Sequence, residues 1–97
     1  ERGYLGGTNG FVLEQHKLYS GKSSISDAAN GIYLGTDGIA LGANSAFQVT
    51  PYGDLTAKSG TIGGARISNN SIRSENNKWW INSDGRASFE DVHISNV

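Results

Sequence analysis

Phe47-Gln48-Val49-Thr50-Pro51-Tyr52-Gly53-Asp54-Leu55-Thr56-Ala57 is answered by Trp79-Trp80-Ile81-Asn82-Ser83-Asp84-Gly85-Arg86-Ala87-Ser88-Phe89, an offset of 32 residues that also sets Ile62 against Ile94. In each copy an alternating apolar stretch meets a cluster of turn residues around one glycine and then resumes, the pattern of a β-hairpin. A second echo lies upstream. Tyr4-Leu5-Gly6-Gly7-Thr8-Asn9-Gly10-Phe11-Val12-Leu13 matches Tyr33-Leu34-Gly35-Thr36-Asp37-Gly38-Ile39-Ala40-Leu41, with one residue fewer in the turn. Repetition at this period points to an elongated, stacked architecture, because no single unit buries its own apolar face.

The rest of the chain agrees. Helical periodicity is missing, and short apolar bursts at 11–13, 32–34, 39–41, 47–49, 80–81 and 89–94 are bounded by Gly, Asn, Asp and Ser. Asn9-Gly10, Asp37-Gly38 and Asp84-Gly85 read as hairpin dipeptides tolerant of positive φ, and Pro51-Tyr52-Gly53 fills the same slot. Four hairpins predict an all-β chain. The polar stretch 20–30 reads as a loop or a brief helical turn capped by Ser26, and 69–78 as a loop with turns at Asn69-Asn70 and Asn76-Asn77. Gly60, Gly63 and Gly64 read as positions where backbones approach closely, as around a threefold axis.

Hydrophobic residues make up 36% of the 97 residues, against roughly 45–50% in globular chains when Gly is counted among them. The 14 Gly close that gap in number but supply no side chains to a core. With no Cys there is no disulfide to compensate. The expectation is a core completed by other copies of the chain, built from Tyr33, Ile39, Leu41, Phe47, Val49, Leu55, Ile62, Ile67, Ile81, Phe89, Val92 and Ile94. A start without Met and an end inside a β pattern read as a segment of something longer. A net charge of −1 with eight Lys plus Arg offers no basic stripe for nucleic acid. No apolar run reaches the ~18 residues of a membrane span.

Trp79-Trp80 is the best candidate for ligand contact. Neighbours on a strand point to opposite faces, so one indole can lie inside while the other stacks on a sugar ring; Tyr52 is a weaker candidate of the same kind. The competing and favoured reading has the outer indole packing under 71–78 or against a neighbouring chain. Asp37, Asp54, Asp84, Glu90 and Asp91 read as turn or solvated residues rather than a glycosidase pair, so no catalytic residue is assigned. His16 and His93 lack metal-ligand spacing. Neither glycine cluster continues as a phosphate loop. No metal, no cofactor and no enzymatic activity are expected.

GIYLGTDGIALG (31–42), FQVTPYGDLTAKSGTIGGARI (47–67) and WWINSDGRASFEDVHIS (79–95) resemble the repeats of phage tail fibre and tailspike proteins. The closest likeness is to the minor structural, tail-associated proteins of long-tailed phages and prophages of Gram-positive bacteria. It covers most of 31–97, while 1–30 match only through Tyr4-Leu5-Gly6-Gly7. The expected organisation is therefore an upstream hairpin and polar linker, 1–30, followed by a β-repeat segment, 31–97. Ala65 stands where relatives often carry Trp. The resemblance implies an intertwined homotrimeric shaft, triple-stranded β-helix-like, in the virion tail facing the host. Such a shaft joins adjoining tail or baseplate domains and positions receptor-binding or wall-degrading ones. Two other readings stay open: a carbohydrate-binding module using Trp79, Trp80 and Tyr52 on host cell-wall polysaccharide, and a piece of a β-helical glycan-degrading tail enzyme. Three side-by-side sandwiches share the same hairpin pattern as the β-helix.

Overall fold

The structure is a computed structural model that describes residues 2–96. It is all-β: two antiparallel sheets, with one short 3-10 turn at Ala43–Ser45. The chain divides into two units, Glu1–Ala57 and Lys58–Val97. The first holds β1 (Gly3–Leu5), β2 (Phe11–Glu14), β3 (Lys17–Ser20), β4 (Ile32–Gly35), β5 (Gly38–Leu41), β6 (Phe47–Val49) and β7 (Leu55–Ala57). The second holds β8 (Gly60–Ile62), β9 (Ala65–Ser68), β10 (Ser71–Ser74), β11 (Trp79–Asn82) and β12 (Ala87–Phe89). In both sheets spatial order follows chain order, so each is a meander that needs no crossover.

The repeat is present in the backbone. Phe47 pairs with Ala57 and Val49 with Leu55; 32 residues on, Trp79 pairs with Phe89 and Ile81 with Ala87. The turns coincide too. Gly53 N–H donates to Thr50 O (2.9 Å) and Thr50 N–H to Asp54 O (3.0 Å), while Gly85 N–H donates to Asn82 O (3.1 Å) and Asn82 N–H to Arg86 O (2.8 Å). Each loop ends on a left-handed glycine, φ 88° at Gly53 and 90° at Gly85, a conformation that costs an L side chain ~1–2 kcal/mol. The upstream echo holds as well: Tyr4 faces Val12 as Tyr33 faces Ala40.

Several local expectations need correction. The β1–β2 loop places its positive φ at Gly6 and Gly7 rather than at Asn9-Gly10, while Thr36-Asp37 close β4–β5 with the positive φ, 133°, on Gly38, the first residue of β5. Gly63-Gly64 instead form a two-residue turn with both φ positive, 53° and 86°, the type I′ signature. A Cβ at Gly60, Gly63 or Gly64 would meet nothing within 4 Å, so inside the chain these are turn and strand residues, not close-packing ones. Strand β3, not anticipated, pairs with both β2 and β4. That pairing merges 1–30 into one sheet with 32–57 and moves the division of the chain from 30/31 to 57/58.

Past Ser20, the last residue of β3, the 20–30 stretch is a loop without a helical turn, organised by Asp27 rather than Ser26. The Asp27 carboxylate accepts Ser23 N–H (3.0 Å), Ala29 N–H (2.9 Å) and Ser23 Oγ–H (3.2 Å), which holds it below the usual carboxylate pKa. The loop folds over one face of the sheet, where Tyr19, Tyr33 and Ala40 are buried side by side and Val12 and Ile25 pack against them. Lys22, fully buried, fastens it. The ammonium donates to the backbone oxygens of Asp27, Ala29 (2.7 Å) and Gly42 (3.1 Å), three acceptors for its three donors. Asn44 N–H to Ala28 O (2.9 Å) and Ser45 Oγ–H to Ile25 O (2.7 Å) close the same seam.

Both core tyrosines send their hydroxyls to carboxylates. Tyr19 donates to Glu14, which also accepts from Arg2 (3.2 Å); the first bond raises the Tyr19 pKa and lowers that of Glu14. Tyr33 donates to Asp37 Oδ1 at 2.7 Å, and burial together with that bond pushes its pKa up to about 12.

Two predictions follow from this seam. Tyr33→Phe should destabilise the chain by about 1 kcal/mol at neutral pH, the net value of one hydrogen bond. Because folding raises this pKa, the hydroxyl's contribution is complete below the unfolded value of ~10 and is lost as pH climbs through about 12. Urea denaturation across the alkaline range should show the gap between wild type and variant closing over that window. Lys22→Met leaves three carbonyls without their partner and should cost about 3 kcal/mol. Hydrogen exchange at the Asn44 amide should accelerate with it.

Candidate functional site

Strict alternation across a meander sorts side chains by face. On the seven-stranded sheet the loop-covered face carries Tyr4, Val12, Tyr19, Tyr33, Ala40, Gln48 and Thr56, successive register partners. The opposite face carries Leu13, Leu18, Leu34, Ile39, Val49 and Leu55 as one row. Beside it runs a second row with Leu5, Phe11, Ile32, Leu41, Phe47 and Ala57, in which Ser20 is the one polar member. The rest of the unit leaves this face open: Leu34 is 50% exposed and Leu55 59%.

Taking its exposed large side chains together, the face leaves on the order of 700 Å² of surface in water, given that an aromatic side chain buries ~150–250 Å² when covered completely and Leu or Ile falls near the lower end of that range. The largest apolar patch on a typical monomer is about 300–600 Å², and a standard protein interface takes about 800 Å² per partner. This face is thus of interface size.

The five-stranded sheet repeats the arrangement. One face carries Ile62, Ala65, Ile67, Ile72, Trp79, Ile81, Ala87 and Phe89, with Ser74 as its polar member. Phe89 and Ile81 are about half exposed there and Ile62 is 66% exposed. The other face carries Thr61, Arg66, Arg73, Trp80 and Ser88 in one row, and Ser68, Ser71 and Asn82 in the next.

The sequence-predicted residues are distributed accordingly. Trp79 stands on the apolar face against Phe89, beside a depression of about 370 Å³ lined also by Lys78, Glu90 and Asp91. Trp80 stands on the polar face between Arg73 and Ser88. The two indoles therefore do not form one platform. Tyr52 sits at the β6–β7 turn in the other unit, 89% exposed. Of the expected shared core, Tyr33 is buried within its own unit, whereas Ile39, Leu41, Phe47, Val49, Leu55, Ile62, Ile67, Ile81 and Phe89 line the open faces. Val92 and Ile94 are exposed beyond β12.

Two of the five candidate carboxylates are occupied locally. Asp37 accepts from Tyr33, and Asp84 Oδ1 accepts Arg86 N–H (3.1 Å). His16 is a left-handed turn residue, φ 72°. Among the described residues no three His, Asp or Glu gather as metal ligands, and no helix is long and apolar enough to cross a membrane. A polar groove of about 600 Å³ lies between the Asn69-Asn70 and Ser83-Asp84 turns. Sequence reasoning missed Lys22 and the β3 contribution to the apolar face. The signal for the latter is the Lys17-Leu18-Tyr19-Ser20 alternation, which places Leu18 with Leu13 and Leu34.

No family model matches this chain, and comparison with curated proteins and with solved structures finds no match.

Proposed function

We propose that this chain is a structural segment of a homotrimeric phage tail fibre or tailspike shaft, with the open apolar faces of its sheets turned toward sister copies. The observation that carries this is that each sheet has one face almost wholly apolar and left uncovered by its own unit. The area to be covered, on the order of 700 Å² per copy, is close to the ~800 Å² per partner of a standard interface. Among the described residues the chain's own core is three buried apolar side chains, small for a chain of this length. Folding and assembly are then one process.

The trimeric state and the place in the virion tail rest on the resemblance of 31–97 to tail fibre repeats. In-chain pairing favours one geometry among those the hairpin pattern allows. Every interior strand has both neighbours from its own chain, so its backbone groups are already satisfied. Three sheets facing a common axis need no exchange of strands, unlike an interdigitated β-helix. The shaft would space and orient receptor-binding or wall-degrading domains joined to it.

Light scattering behind size exclusion should give three times the 10.3 kDa chain mass. Leu34→Glu, on the open face, should reduce it to one chain at micromolar concentration, whereas Thr56→Glu, on the opposite face, should not; a monomeric wild type overturns the reading. Acrylamide quenching supplies a second check. Trp79, left alone by Trp80→Phe, should be shielded in the assembly, and Trp80, left alone by Trp79→Phe, should stay accessible.

A further inference from the structure

The polar face of the five-stranded sheet places two like charges opposite each other, and neither has an ion-pair partner among the described residues. Arg66 and Arg73 are direct partners across β9 and β10, and like charges placed opposite each other on an antiparallel pair are destabilising. Among the described residues the one ion pair is Arg2–Glu14, far along the chain from either. Arg73 is nonetheless held in place. Its Nε and Nη2 each donate to Ser71 Oγ at 3.2 Å, and Nη1 donates to Asn77 Oδ1 at 3.4 Å. Ser71 is itself buried and bonded to Ser68 Oγ at 2.8 Å. These partners are neutral, so they fix the guanidinium without cancelling its charge.

The surroundings of the pair name the rest of the ligand. Trp80 is the partner of Arg73 on β11, and Asn82 lies two residues further along that strand on the same face. From Arg73 the surface opens into the 600 Å³ groove lined by Asn69, Asn70, Asn82, Ser83 and Asp84. Its two banks are tied by Ser83 N–H donating to Asn70 O at 2.8 Å, so the groove needs no rearrangement to form. Amides and a carboxylate offer the alternating donors and acceptors that vicinal hydroxyls require. An indole supplies a flat apolar face for the C–H side of a sugar ring. Paired guanidinium groups suit the oxygens of a carboxylate or phosphate.

We propose that this face binds an anionic saccharide, with its carboxylate or phosphate at Arg66 and Arg73, one ring against Trp80, and its hydroxyls along Asn69, Asn82 and Asp84. The Asp84 carboxylate sets direction, since it repels the charged end of the ligand from the far end of the groove. The site lies opposite the apolar face of its sheet and does not depend on what covers that face.

The test uses the 97-residue chain carrying Trp79→Phe, so that fluorescence reports on Trp80. It is titrated with oligogalacturonate, phosphorylated oligomannose and neutral maltohexaose. At least one charged oligosaccharide should saturate the signal and bind at least tenfold tighter than maltohexaose, with affinity falling as salt is raised. Saturation by oligogalacturonate alone assigns a carboxylate ligand, and by the phosphorylated sugar alone a phosphate ligand. The double variant R66Q/R73Q should lose at least tenfold in affinity at unchanged circular dichroism, while Lys58→Gln should not change it. If Trp79→Phe does not fold, the indole N–H resonances of the unsubstituted chain give the same reading: Trp80 shifts with ligand and Trp79 does not. Equal binding of the neutral sugar, full affinity in R66Q/R73Q, or no saturable response to any of the three overturns the proposal.

Discussion

The constraint on which everything else depends is the period of two along a strand, imposed on sheets whose strands follow one another in order. Each in-register row then has a single chemical character. Leu13, Leu18, Leu34, Ile39, Val49 and Leu55 come from six strands and share one side of the sheet because every hairpin keeps its register. A slip of one residue in any of them would turn half the sheet inside out. The left-handed glycines and short turns are what prevent the slip.

A meander has a further consequence. With both neighbours of an interior strand drawn from the same chain, hydrogen bonding is locally complete, but a single layer cannot cover its own two faces. In the first unit the chain covers one side, using the 20–30 loop. That loop has little apolar content, so it is fastened by polar means. Asp27 collects local N–H groups, and the buried Lys22 ammonium gathers three carbonyls. A buried cation is tolerated there because each donor is met. The other side is left open by the unit itself, which is the physical ground for the assembly reading.

The second unit separates chemistry in the same way with different content. Its apolar side repeats the open face of the first, whereas its polar side concentrates two arginines, an indole and an amide-lined groove. Adjacent residues Trp79 and Trp80 belong to these two surfaces. A dipeptide that looks like one aromatic feature in the sequence serves two roles in the sheet.

Much of this was legible from residues alone. The 32-residue echo determined two equivalent hairpins, since alternation and turn glycines are local properties that act within a few residues, and the structure gives both the same register. The shortage of apolar side chains pointed to a small core, and among the described residues only Tyr19, Tyr33 and Ala40 are buried apolar side chains. The sequence did not determine which turn glycines adopt positive φ, that Lys17 to Ser20 form a strand, or that the first 30 residues join the same sheet as the next 27. Those depend on which strands become neighbours. Lys22 and the Arg66–Arg73 pair illustrate the reason. Their partners lie up to 20 residues away in the chain, and only the folded sheet, by bringing distant backbone and side chains to one place, decides that one charge is buried and satisfied while two others face each other uncancelled.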